Sequence, residues 1–199
     1  YRYDSDADGS VDVTQNRAHN AANEITSIDS SATHVAHDAA GNMTKVPQPG
    51  DGDEGYTATY DAWNRLVKVE AEYDGSESID TITVAEYDYA GNHFRIVKRT
   101  YDLDAENALA ETRLFYYTPA WQCVEERVGA STDAEIHYVW GERYVDELLF
   151  RDRDTTGDGE FNERLWALQD ANWNVVALAN DNGTVQERFI YSAYGTPSV

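Results

Sequence analysis

Short runs in which apolar and polar residues alternate, each closed by an acidic or amide residue and a tight turn, recur along the chain. The clearest is Tyr56-Thr57-Ala58-Thr59-Tyr60-Asp61-Ala62-Trp63-Asn64-Arg65-Leu66-Val67-Lys68-Val69. Tyr56, Ala58 and Tyr60 fall at every second position and share one face of a strand, while Thr57 and Thr59 face the other way. Leu66 to Val69 alternate again and are rich in β-branched residues. Between the runs, Asp61 can accept a bond from the backbone two residues on, and Asn64 tolerates a positive φ. The pattern predicts strand, turn, strand. One hairpin cannot bury its own face, so it needs neighbours.

The chain supplies them by repetition. Copies stand at His19-Asn20-Ala21-Ala22-Asn23-Glu24-Ile25, His37-Asp38-Ala39-Ala40-Gly41-Asn42-Met43, Tyr87-Asp88-Tyr89-Ala90-Gly91-Asn92-His93-Phe94, Tyr117-Thr118-Pro119-Ala120-Trp121-Gln122-Cys123, Gln169-Asp170-Ala171-Asn172-Trp173-Asn174-Val175 and Tyr191-Ser192-Ala193-Tyr194-Gly195-Thr196. A further unit lies around Tyr138-Val139-Trp140-Gly141. The spacing between copies is irregular. Constant turns with elastic spacers suit a spiralling sheet whose loops absorb the differences in length. Residues 26–55 read as a long exposed spacer, Tyr73 to Ser78 as a hairpin tip between strands 66–71 and 81–87, and residues 102–111 as a loop with one helical turn. Tyr60, Tyr87, Tyr117, Tyr138, Tyr191, Trp140 and Trp166 recur on strands, where stacked copies form ladders of rings.

These copies resemble the tyrosine-aspartate (YD) repeats of RHS-repeat proteins and teneurins. Tyr138 to Asp146, Leu168 to Val175, Glu187 to Tyr191 and Tyr194-Gly195 are similar to the stretch leading into the RHS-repeat-associated core. The resemblance implies an all-β fold, a spiral of antiparallel hairpins forming part of a YD-repeat shell, with repeats over 1–137 and the start of the core region over 138–199. It implies a secreted or cell-surface protein whose shell encloses a C-terminal toxin or effector. The partners are then the rest of the same shell and its cargo. The alternative is a cell-surface adhesin that binds carbohydrate or another surface protein. The chain ends before the expected position of the core's cleavage motif, so no catalytic residue is assigned.

Charge narrows the functions. With 37 acidic against 15 basic residues, the net charge of −22 disfavours nucleic acid and anionic lipid and favours cations. No apolar run approaches a membrane span. Cys123 is the only cysteine, which excludes an internal disulfide and reads as a packed thiol. No nucleophile elbow, phosphate loop or paired-cysteine motif is present, and the histidines mostly occupy positions that Tyr or Asn fills in other copies.

Calcium is the candidate cofactor. Asp4-Ser5-Asp6-Ala7-Asp8-Gly9-Ser10-Val11-Asp12 spaces carboxylates at alternate positions around a glycine, the grammar of a calcium loop, which makes Asp4, Asp6, Asp8 and Asp12 candidate ligands. A second loop repeats it from Asp154, with Thr156, Asp158 and Asn162 as further ligands, Gly159 at the bend and Phe161 in the apolar place of Val11. The bland reading of each is a solvated hairpin tip.

Overall fold

Runs rich in Val, Ile, Thr, Tyr and Phe favour extended backbone, and strand is the dominant element among the described residues. The computed structural model describes residues 2–3, 13–47, 55–75, 78–102, 107–191 and 197–198, and among these there is no helix. The strands are β1 (Arg2–Tyr3), β2 (Val13–Thr14), β3 (Arg17–His19), β4 (Ile25–Ile28), β5 (Ala36–His37), β6 (Met43–Pro47), β7 (Gly55–Tyr60), β8 (Leu66–Gly75), β9 (Ser78–Tyr89) and β10 (Arg95–Asp102). They continue with β11 (Ala108–Tyr117), β12 (Cys123–Val128), β13 (Ile136–Trp140), β14 (Leu148–Arg153), β15 (Glu163–Gln169), β16 (Val175–Ala179), β17 (Val185–Arg188), β18 (Ile190–Tyr191) and β19 (Pro197–Ser198). Strands β5 to β17 form one 13-stranded sheet in chain order, while β1–β2, β3–β4 and β18–β19 are separate pairs. The fold is therefore all-β, a meander of antiparallel hairpins, as the alternation predicts.

Two compact units are distinguished, Tyr1–Asp88 with Arg99–Ala110, and Tyr89–Lys98 with Glu111–Val199. In the first, β7 pairs with β6 (Lys45↔Thr57) and β8 (Ala58↔Val69), and Ala58 and Ala85 are buried. The pairing of β8 with β9 runs out to Gly75↔Ser78, well past the strands expected over 66–71 and 81–87. Residues 26–55 are not a continuous spacer either. They contain the end of β4, all of β5 and β6 and the first residue of β7, because the copy at His37 folds as a hairpin like the rest.

The meander continues from β11, whose first three residues belong to the first unit, to β17 in the second unit. Ala108 to Ala110, expected to make a helical turn, begin β11 instead, since so short a stretch cannot pay the nucleation cost of a helix against an available sheet partner. Its core is thin, with Leu165, Ala177 and Ala179 buried beside the polar Glu147, Asp152 and Asp154. Much of the cross-strand contact is charged or aromatic. Arg164 clasps Asp152 through two bonds of 2.6 and 2.7 Å and lies 4.1 Å from the Phe150 ring centre. Arg113 bonds Glu111, Glu126 and Glu135 together. Such cross-strand pairs are the unit of sheet stabilisation.

Candidate functional site

The repeated turn is built from one acceptor side chain. In the turn of 61–65, Asp61 Oδ1 accepts the amides of Trp63 (2.8 Å) and Arg65 (3.0 Å), while Oδ2 accepts Arg65 Nε at 2.7 Å. The backbone closes it, with Asp61 N–H bonding Arg65 O and Asn64 N–H bonding Asp61 O. Asn20, Asp38 and Asp170 repeat the same two amide bonds to the second and fourth residues on. Thr118 does it with one, from Ala120. The fourth residue of each turn is left-handed: Asn23, Gly41, Asn64, His93, Trp121, Trp173 and Gly183 all have φ between 60° and 88°. This is a three-residue hairpin loop, a type I turn followed by a left-handed residue.

Two turns depart from the pattern read in the sequence. The copy beginning Tyr87-Asp88 is displaced by two residues, since its turn runs from Ala90 to Phe94; Asp88 stays on β9 and pairs with Arg99. The turn at 180–184 was not anticipated, yet Asn180 Oδ1 accepts the amides of Asn182 and Thr184. An Ala precedes it rather than an aromatic residue, which hid it; Asn180 with Gly183 three residues on was the usable signal. The copy expected at Ser192 lies outside the described residues.

Six of the seven tight turns are followed by the same irregularity. His19, His37, Tyr60, Tyr117, Gln169 and Ala179, the residues just before the turns, pair with Ile25, Met43, Leu66, Cys123, Val175 and Val185, and the next residue of each descending strand is skipped. A bulge at one fixed place in each hairpin increases local twist by a constant amount. Aromatics at the ends of strands have a second task. The hydroxyl of Tyr60 donates to Met43 O (3.2 Å), Tyr117 to Arg95 O (3.0 Å) and Tyr191 to Val175 O (2.7 Å), and the Trp140 indole N–H donates to Cys123 O (2.7 Å). Each acceptor is the first residue after a tight turn on an earlier strand. Gln169 Nε2 also reaches back, bonding Asp146 O within the 141–147 loop at 2.7 Å. Among the described residues rings meet in small groups rather than in the continuous ladders expected, as in Phe94 with Tyr117 and Trp121, and Phe150 with Trp166.

No protein-family model and no curated protein matches this chain.

Of the candidate calcium ligands, Asp4, Asp6, Asp8 and Asp12 lie outside the described residues. The second loop is described in full. Asp154 is buried, and its carboxylate faces inward, accepting the amides of Thr156, Gly157 and Gly159 and the Thr156 hydroxyl. The Gly159 amide leads in holding its pKa below the usual carboxylate value, against the upward push of burial. Asn162 Nδ2 reaches Thr156 Oγ1 at 3.1 Å, and its Oδ1 accepts from Thr155. The structure thus links Asp154, Thr156 and Asn162, while the Asp158 carboxylate turns to the Glu160 amide. Among the described residues no three His, Cys, Asp or Glu side chains converge in a metal-holding geometry, so any calcium there would draw on the hydroxyl, amide and backbone oxygens of this loop. Beside it is a cleft of about 420 Å³ bordered by Ser131, Asp133, Glu135, Arg153 and Asp154.

Cys123 is half-buried, and burial pushes its thiol pKa up, which suits a packed group rather than a nucleophile. Among the described residues no helix is long and apolar enough to cross a membrane.

Proposed function

We propose that this chain is a stretch of wall from a YD-repeat shell of the RHS and teneurin kind, belonging to a secreted or cell-surface protein and enclosing a C-terminal toxin or effector. The observation that carries the reading is the repeat itself: a constant turn, a constant bulge and a bond from the pre-turn aromatic to the neighbouring hairpin. A unit of this kind contacts only its neighbours and can be added indefinitely, which is what a wall requires and a catalytic site does not. Cargo release would be the task of a segment beyond this one.

Intact-mass measurement of the full-length parent protein after native gel filtration tests it. A C-terminal fragment that is cleaved yet co-elutes supports the container. An uncut chain with no retained fragment overturns it and favours the adhesin, for which Trp166, 40% exposed beside an open cleft of about 490 Å³, offers an indole face to a sugar.

A further inference from the structure

Three tight turns carry a tryptophan. Trp63 has the guanidinium of Arg65, from its own turn, 5.0 Å from its ring centre. Trp173 has Arg143 at 5.4 Å and is stacked on Tyr144 at 5.3 Å. Trp121 differs. Among the described residues its ring contact is a T-shaped one with Phe94 and no cation lies over it, and 68% of its surface is exposed.

Trp121 is also an unfavourable residue for its position. At φ 72° it occupies the left-handed region that Gly and Asn tolerate and bulky side chains do not, and Gly or Asn fills the equivalent place at 23, 41, 64 and 183. Trp173 shares the strain but recovers contact from Tyr144 and Arg143. An uncompensated outlier of this kind points to a task outside folding. Its surroundings define the task. The next residue, Gln122, bonds Val145 O at 3.0 Å, which holds the 141–147 loop beside the turn. That loop exposes Tyr144 and Val145 together with Glu142 and Asp146, whose carboxylates have no partner among the described residues. An exposed indole on a turn that is bonded to the loop carrying these carboxylates, on a chain of net charge −22, is complementary to a cation.

We propose that Trp121 is the centre of a docking site for a basic segment of a partner polypeptide, its ring taking an arginine or lysine as Trp63 and Trp173 take Arg65 and Arg143. Glu142 and Asp146 supply the charge complement. The site stands whether or not the chain is a shell wall.

The test titrates the full chain with an oligoarginine peptide, and with oligoglutamate as a blank, following tryptophan fluorescence. Trp121→Asn should weaken oligoarginine binding about three- to thirtyfold, the range of one cation–π contact, and at the same time raise the melting midpoint by relieving the strained turn. Glu142→Gln with Asp146→Asn should weaken binding more than Asp133→Asn with Glu160→Gln, which removes the same charge elsewhere. Equal binding by Trp121→Asn and the parent would overturn the proposal. So would equal losses from the two charge pairs, or a lowered melting midpoint in Trp121→Asn, which would make the indole a packing residue.

Discussion

If the pre-turn aromatics join one hairpin to the next, removing a single hydroxyl should loosen the join without emptying a core. Tyr117 is the cleanest case, since its hydroxyl donates to Arg95 O at 3.0 Å while its ring stacks on Phe94 with centroids 4.7 Å apart. Tyr117→Phe deletes the first and keeps the second. A net intramolecular hydrogen bond contributes about 0.5–1.5 kcal/mol, and because water can reach this carbonyl the loss should be about 0.5–1 kcal/mol. Tyr117→Ala also removes the stacked ring, and for a half-buried side chain the cost should be about 2–3 kcal/mol, below that of a fully buried aromatic. In a chain of this length the midpoint should fall by about 1–4 °C for Phe and about 4–12 °C for Ala. Thermal denaturation followed by circular dichroism measures both. Burial leads in pushing the Tyr117 pKa above its ordinary value of 10, so its contribution is complete below that value and is lost as pH rises beyond it. Tyr117→Phe should therefore also flatten the alkaline limb of stability. An unchanged midpoint in Tyr117→Phe, beside a lowered one in Tyr117→Ala, would refute the joining role and leave only the ring.

Three further predictions rest on other bonds. Asp38 and Asp170 are held below the ordinary Asp value of 3.8, chiefly by the Asn42 and Asn174 side chains, and in Asp61 the Arg65 and amide bonds outweigh the upward push of burial. Their stabilisation is present above 3.8 and lost as pH falls through the lowered values, so acid melts should show a loss below pH about 4 that Asp38→Asn, Asp61→Asn and Asp170→Asn together reduce. A Cβ at Gly141 would collide with the Glu147 carboxylate, which Arg143 pins through its amide and guanidinium. Gly141→Ala should lower the midpoint, and it should cost markedly less in a Glu147→Ala background; additive effects in that cycle would exclude the clash. If either acidic loop holds calcium, a chelator should lower the midpoint and added calcium restore it, with Asp154→Ala removing the second loop's share; a chelator-insensitive melt would exclude calcium from both.

The hairpin pattern was legible because its two determinants are local. Asp61 and Asn64 declare a turn whatever surrounds them, and the alternation on either side declares a strand. Where the first position carried no acceptor, as at Ala90, the nearest acidic residue, Asp88, misplaced the turn by two, although the backbone bonds form there without it. The sideways bonds were not legible at all. That Tyr60 finds Met43, or Trp140 finds Cys123, depends on which strands lie adjacent and on a bulge that shifts the register, and neither is stated by the local pattern. At the loop from Asp154 the spacing suggests a calcium loop or a solvated hairpin tip, and it could not reveal that Asp154 turns inward to its own amides.

In an antiparallel meander, connections alternate between the two ends of the strands. In the second unit this places the turns at 90–94, 118–122, 141–147 and 170–174 at one end, and the longer stretches of 129–135 and 154–162, with the turn of 180–184, at the other. An extra residue in a tight turn would slide one strand by a pair and turn its side chains over. An extra ten at the opposite end cost little more than the logarithm of the added length. The array can therefore acquire new sequence, and new recognition, along one margin while the other keeps the count.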